Sequence, residues 1–518
     1  MFNTEKQSAS AIKVSLTATI CNFITILLGI IYRTAFVRYF TVSYLGINGL
    51  FSNILEILAI SELGLTTPII YRLYKPIEDD NRDRVAELMS FYKKVYHFIF
   101  VFISIVGICI CPFISYFIND TTDIPSEINL QYIYILFLAQ TSTTYLFSYK
   151  QSLLIADRKQ YVVNLYQIFL NFFKTFIQII LVIFIHKYDY ILLSSIGITI
   201  ISNYLFSRCI TKNYYPLFDN CYKLDRRTQK DIFHEAKACF IHKVGYKLLT
   251  ATDNIIISKY VGIISTGIYS NYLLIYNLAF AFVGQLVGNF VAIVGKIIVQ
   301  EDEEYATEIF KRLNFLSLWI NCTVSCCMWL FLDKLIELWL GPNLCISRYT
   351  SSLLAFYFFI SNLRHIPNTF VSVSSLFTKD MIRPIIQTII NILVSIILVK
   401  RIEIDGVIIG SIVCVLVTVF WREPYLVFKY LLKNNSWIYW KQVISFFIPT
   451  ICIGIILKIV FFKVQISSFS SLLSIGIFSF LSIQCILIVT QIKTQEYKYY
   501  LNFIMKKVYI INKGKKND

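Results

Sequence analysis

Residues 470–490 read SSLLSIGIFSFLSIQCILIVT, a run with no Asp, Glu, Lys or Arg in it. A helix needs about 20 predominantly apolar residues to cross a bilayer, so this stretch is long enough to span a membrane. It is also too apolar to clothe a soluble fold. The preceding run, QVISFFIPTICIGIILKIVFF at 442–462, has the same character, and working outward further runs lie near 14–38, 43–70, 95–118, 130–149, 162–185, 190–210, 240–262, 267–295, 313–335, 351–375, 384–399 and 406–428. About fourteen crossings are therefore expected. The run at 384–399 is short, and those at 43–70 and 267–295 leave room for tilt or extra turns. Alternation with a period of two is missing, so the spans are helices and not barrel strands.

The composition of the 518 residues agrees, at 57% hydrophobic and 15% charged, where soluble proteins carry about 25% charged residues. Mean hydropathy is +0.64. The fold class is an all-α polytopic membrane protein. The net charge of +17 does not point to nucleic acid, because the basic residues sit in short gaps between apolar runs. Segments 1–13, 71–94, 150–161, 208–247, 296–312, 376–383, 422–441 and 491–518 hold 36 of the 48 Lys and Arg. Cationic gaps stay cytoplasmic, which places both termini inside and requires an even number of crossings. The outer gaps, such as NDTTDIPSEIN at 119–129 and HKYD at 186–189, are too short for a folded catalytic domain. The beginning, MFNTEKQSASAIKV, lacks a cleavable leader pattern, so the first run is expected to be kept as a span.

Enzyme and cofactor motifs are missing as well. The 13 Cys form no Cys-x-x-Cys pairs and no His lies at ligand spacing, so neither a metal nor a disulfide framework is expected. His234-Glu235 has Ala238 where a zinc-binding helix needs its second His. Without a nucleotide loop, uphill transport would draw on an ion gradient, the membrane potential or removal of product.

Two echoes suggest an internal repeat: at an offset of 218 Gly49-Leu50-Phe51-Ser52-Asn53 matches Gly267-Ile268-Tyr269-Ser270-Asn271, and after each of these spans comes an acidic loop, KPIEDDNRDRVAEL at 75–88 and QEDEEYATEIF at 300–310. Chance likeness among apolar sequences is the alternative. The expected organisation is a six-helix lobe over 1–211, a cytoplasmic linker over 212–239 that includes an amphipathic surface stretch, a second six-helix lobe over 240–428, and two further helices with a basic tail over 429–518. Parallel halves of this kind occur in transporters.

Charges inside spans are costly unless they face protein or water. Arg38 and Lys259 lie near span ends and can snorkel. Arg33, Lys174 and Arg364 lie deeper and would suit an anionic substrate in a water-filled cavity; Lys174 and Arg364 fall one in each half. Their other reading is pairing with acidic neighbours, for instance Arg33 with Glu56 as a lock between helices. Glu56, Glu62 and Asp253 are the intramembrane acids, read either as ion-coupling groups or as structural partners. His365 beside Arg364 is a weaker candidate. Glu62-Leu63-Gly64-Leu65 followed by Thr66-Thr67-Pro68 marks a bend, static or gating.

Tyr44-Leu45-Gly46-Ile47-Asn48-Gly49-Leu50-Phe51-Ser52-Asn53, Glu62 to Leu65, the exit Tyr71-Arg72-Leu73-Tyr74-Lys75-Pro76, Thr252-Asp253-Asn254 with Gly267 to Asn271, and Leu338-Trp339-Leu340-Gly341 together resemble polysaccharide-biosynthesis flippases of the multidrug/oligosaccharidyl-lipid/polysaccharide exporter superfamily. The resemblance implies a MATE-like pair of six-helix lobes with two added helices in the bacterial cytoplasmic membrane. It also implies a monomer that flips undecaprenyl-pyrophosphate-linked oligosaccharide for capsule, O-antigen or exopolysaccharide, working beside a polymerase and chain-length proteins. No cofactor beyond H+ or Na+ coupling follows from it. A cation-coupled drug antiporter of the same architecture is the competing reading. Arg33, Lys174 and Arg364 are placed as substrate-binding residues by depth, not by a family motif.

Overall fold

A computed structural model describes residues 2–62, 66–120, 122–214, 223–288, 294–295, 297–298, 302–380, 382–461, 464 and 466–514. All the regular structure among them is helical. Contacts divide the chain into two units, Met1–Ser270 with Pro384–Val407, and Asn271–Arg383 with Ile408–Asp518.

The first unit contains α1 (Phe2–Tyr39), α2 (Val42–Leu58), α3 (Thr66–Glu78), α4 (Arg82–Ile110), α5 (Leu130–Thr143), α6 (Gln151–Ala156), α7 (Gln160–Phe184), α8 (Tyr188–Tyr214) and α9 (Arg226–Tyr260), with the start of α10 (Ile263–Gly288). α1 lies along α7, α7 and α5 along α8, and α2 along α9. Close approach depends on two glycines: a Cβ on Gly46 would strike the carbonyl of Ile263, and one on Gly267 would strike Val42. Gly267 opens the second copy of the echo, whereas Gly46 lies three residues before the first copy and Gly49, the counterpart of Gly267, has only ordinary contacts. The expected linker is largely helix where it is described. α8 runs on to Tyr214, and α9 begins at Arg226 and continues without a break into the next span. Its first turns are fastened to α3 and α4 by Arg72 with Glu235 (2.6 Å) and Arg84 with Asp225 (3.2 Å).

The second unit contains α11 (Glu303–Leu340), α12 (Arg348–Asn362), α13 (His365–Val373), a 3-10 turn at Ser375–Asp380, the later part of α14 (Arg383–Val417), α15 (Val419–Tyr430), α16 (Trp437–Phe461), α17 (Phe469–Gln491) and α18 (Gln495–Gly514). α11 packs on α12, α16 and α17. α17, the stretch quoted first, buries Ser479, Ile483, Leu487 and Gln491 at a spacing of four and leaves Leu473, Ile477, Phe478 and Leu481 exposed. An apolar outside and a partly polar inside suit a helix whose solvent is lipid. Its Gln484 accepts from the Trp319 indole (2.6 Å) and donates to Thr323 (3.1 Å) on α11.

Among the described residues eight helices are long and apolar enough to cross a membrane, and Val42–Leu58 is apolar but shorter. Interrupted spans account for part of the difference from fourteen; α1 and α9 run unbroken over the expected runs near 14–38 and 240–262 but are not among the eight. The 43–70 run breaks after Leu58 into a 3-10 turn and resumes at Thr66. The 351–375 run breaks at Leu363 and Arg364, where Pro367 has no N–H for the Leu363 carbonyl. The Tyr439 hydroxyl donates to that carbonyl instead (3.1 Å). The 384–399 and 406–428 runs are the two sides of a reversal at Ile402 and Glu403, with φ of 49° at Glu403. Gly406 there rests against the Leu398 backbone.

Candidate functional site

On α2 the apolar side chains Leu45, Leu50, Phe51 and Ile54 are buried, while Asn48, Ser52 and Glu56 recur at i, i+4 and i+8 as one polar stripe. The stripe borders a cavity of about 330 Å³ inside the first unit, completed by Tyr32 of α1, Gln140 and Thr141 of α5, Gln178 of α7 and Tyr188 of α8. Phe137, Leu55 and Leu192 form its apolar wall. A few convergent polar groups on an apolar frame are the usual anatomy of a small-ligand site. The Tyr188 hydroxyl is buried there with no hydrogen-bond partner among the described residues. Buried hydroxyls are nearly always paired, so the cavity holds a donor and acceptor available to a ligand or to water.

The sequence-derived residues divide around this cavity. Arg33 follows the cavity-lining Tyr32 on α1 but is not itself part of the lining. Its guanidinium donates to the Ser270 carbonyl (3.4 Å) and hydroxyl (3.3 Å) and meets no carboxylate among the described residues. Lys174 is half-buried on α7, one turn before Gln178 and so on the same face. It too forms no ion pair among the described residues. The suggested lock between Arg33 and Glu56 is not formed, because Lys247 of α9 takes Glu56 as its ion pair. Lys247 escaped the sequence reading because it was counted with the cytoplasmic gap, although it stands at the mouth of the seventh apolar run. Lys259 covers the Tyr116 ring at 3.7 Å.

Asp253 is buried on α9 between Thr252 and Asn254. Thr252 donates to Asn391 of α14 (3.4 Å), and Thr388 donates to the Gly245 carbonyl (2.8 Å). This makes a polar seam distinct from the cavity lining. The side chain of Glu62 and all of Leu63, Gly64 and Leu65 lie outside the described residues, so the bend motif is described only at its flanks.

Arg364 belongs to a different arrangement in the second unit. It donates to Glu423 Oε1 at 2.6 Å, and Arg383 reaches the same oxygen at 3.3 Å. Arg383 also pairs with Asp380, which accepts from Arg422 at 2.7 Å. Glu423 is fully buried and Asp380 nearly so. The network brings together α15, the 3-10 turn, the start of α14 and the α12–α13 break, and it immobilises Arg364. His365 is held by Asn362 (2.8 Å), and its ring lies tilted against Phe280 at 5.4 Å between centroids. Glu423 was missed because it lies beside Arg422 at the edge of an apolar run, where a charge normally reads as an interfacial one.

Three comparisons bear on these findings. No family model and no curated protein matches the sequence. Among solved structures, one described as lipid II flippase MurJ in an inward closed conformation aligns over 92% of this chain and 100% of its own, with a TM-score of 0.69 and 14% identity. An inward-facing multidrug resistance MATE family transporter of the MOP superfamily aligns over 80% of this chain and 98% of its own, with a TM-score of 0.60 and 15% identity. A MOP superfamily transporter from Pyrococcus furiosus Vc1, described as having a binding pocket of reversed polarity, aligns over 82% of this chain and 96% of its own, with a TM-score of 0.52 and 14% identity. At these identities the likeness shows a shared MATE-like fold.

Proposed function

We propose that this protein is a non-enzymatic flippase that carries an undecaprenyl-pyrophosphate-linked oligosaccharide across the bacterial cytoplasmic membrane, for capsule, O-antigen or exopolysaccharide synthesis. The observation that carries the reading is Arg33: an intramembrane guanidinium with no carboxylate partner among the described residues, adjacent in sequence to the cavity-lining Tyr32, in a fold shared with a lipid II flippase. Charge held in that state calls for an anion, and a pyrophosphate fits a bidentate fork. Lys174 is the second cation of the site, and Arg364 contributes through the architecture of its own unit. Coupling to H+ or Na+ through Glu56, Glu62 or Asp253 supplies the drive where transport is uphill.

We extend the proposal to fourteen crossings with both termini cytoplasmic, and to lobes at 1–211 and 240–428 with the linker at 212–239 and two further helices within 429–518. The larger share aligned with the flippase, 92% against 80% for the exporter, supports the added helices. The protein acts as a monomer alongside a polymerase and chain-length proteins.

The test is export of lipid-linked glycan at matched protein levels for Arg33→Ala, Arg33→Lys, Lys174→Ala and Arg364→Ala. Export should fall from wild type to Lys to Ala at position 33, and near-wild-type export in all the Ala variants would end the cationic mechanism. Reconstituted protein should act without ATP. For topology, a cysteine introduced at Thr122 should react with an impermeant reagent outside intact cells, and one at the exposed Lys230 should not.

A further inference from the structure

The second unit carries an apolar groove of about 420 Å³ between α11, α12 and α16. Along α16 it is walled by Phe447, Ile451 and Ile455, one helical face that leads to Lys458. From Phe447 to Ile455 this wall rises about 12 Å, and Lys458 lies one turn beyond it. Gly454 matters to the floor of the groove: a Cβ there would strike the Trp329 ring, which therefore lies against the α16 backbone.

One end of this groove is cationic. Lys458 sits over Trp329 at 4.4 Å and donates to Ser352 at 3.4 Å. Arg348 is exposed at the start of α12, and the same Ser352 hydroxyl that Lys458 meets donates to the Arg348 carbonyl at 2.8 Å. Asp333, the carboxylate in the same neighbourhood, is engaged by Ser351 (2.7 Å) and Tyr272 (3.4 Å) and makes no ion pair with either cation among the described residues. An apolar groove with two cations at one end matches a molecule with a hydrocarbon chain and an anionic head. We propose that the groove holds one acyl chain of an anionic glycerophospholipid from the surrounding bilayer, with its phosphate seated on Lys458 and Arg348. Such a lipid would brace α12 against α16.

Trp329 reports the occupant directly. The full chain is placed in phosphatidylcholine nanodiscs in which about a tenth of the lipid is brominated, either phosphatidylglycerol or phosphatidylcholine, and the Trp329 contribution is taken as the difference between wild type and Trp329→Phe. Brominated phosphatidylglycerol should quench that contribution about fivefold more effectively. Lys458→Gln should remove the preference, and Lys458→Arg should keep it. Equal quenching by both headgroups would overturn the proposal, since the groove would then face bulk lipid without selection. Quenching by neither would also overturn it, leaving the groove closed or filled by another hydrocarbon such as an isoprenoid tail. Loss of the preference in Lys458→Arg would exclude charge as its cause.

Discussion

Arg33 and Arg364 occupy similar positions in the sequence, each a lone guanidinium deep in an apolar run, and the folded chain treats them in opposite ways. Among the described residues Arg33 in the first unit donates only to Ser270 and follows the cavity-lining Tyr32, whereas Arg364 in the second is held by the fully buried Glu423 in a network with Arg383, Asp380 and Arg422. The difference separates a cation that meets only neutral groups among the described residues from a cation built into a charged frame. A charge in a membrane helix marks a constraint, and only its partner tells which kind.

The largest effect should come from breaking the frame. Glu423→Gln takes the buried carboxylate from Arg364 and leaves Arg383 its pair with Asp380, and removing one member of such a network costs about 3–5 kcal/mol. Thermal unfolding in detergent should show the loss, together with reduced protein in the membrane. A variant as stable as wild type would mean that Arg364 is not locked and would dissolve the contrast with Arg33.

Arg33→Ala sharpens the other side. Its bonds to Ser270 are long, so stability should change by no more than ~1 kcal/mol, while transport should fall at least about tenfold, or ~1.4 kcal/mol in the barrier. Unfolding and transport measured on the same preparation separate the two. If stability and transport dropped together, Arg33 would be a second frame residue.

Glu56 and Lys247 lie between these extremes, since each side chain is about a third exposed, at 33% and 34%. Solvent screening limits their coupling to about 0.5–1 kcal/mol, measurable in a double-mutant cycle with Glu56→Gln and Lys247→Met. A coupling of several kcal/mol would place the pair with Glu423 as a lock between α2 and α9.

The smallest effect lies outside the membrane spans, at the start of α9. The Thr228 backbone N–H and hydroxyl, with help from Arg84, hold the Asp225 carboxyl down to about 2. A folded value below the ordinary value of about 3.9 means that the cap stabilises α9 above that value and is lost as pH falls through about 2. Carboxyl-carbon NMR should place the Asp225 midpoint near 2, and Asp225→Asn should flatten the pH response of the first turn across that window. A midpoint near 3.9 would show that the tie between α9 and α4 is not formed in solution.

Much of the cavity could be read from sequence once its period was noticed. Asn48, Ser52 and Glu56 repeat every four residues in a run that is otherwise apolar, which puts them on one helical face. Gln140, Gln178 and Tyr188 could not be assembled that way, because each stands on a different helix and no local pattern ties one to another. Lys247 and Glu423 were hidden for a related reason: at the edge of an apolar run a charge reads as interfacial, and whether it folds back onto a neighbour depends on the crossing of helices far apart in sequence. The two interrupted spans had local signals in Pro68 and Pro367, but the carbonyl freed by Pro367 is satisfied by Tyr439, a residue from another helix.

By itself the sequence determined the solvent and the secondary structure. Runs of about 20 apolar residues leave the backbone no partner in lipid except its own, so the chain had to be helical, and the apolar stretch at 470–490 could be read without any neighbour. Only the tertiary structure decided which polar groups within those helices meet one another. In a bilayer the outward faces of all the helices are chemically alike, so hydropathy cannot rank one pairing above another; the choice falls to glycine contacts such as Gly46 on Ile263 and Gly267 on Val42, and to the buried charges that must find a partner. That is why the fold class follows from composition and period, while the separate fates of Arg33 and Arg364 follow from helix packing alone.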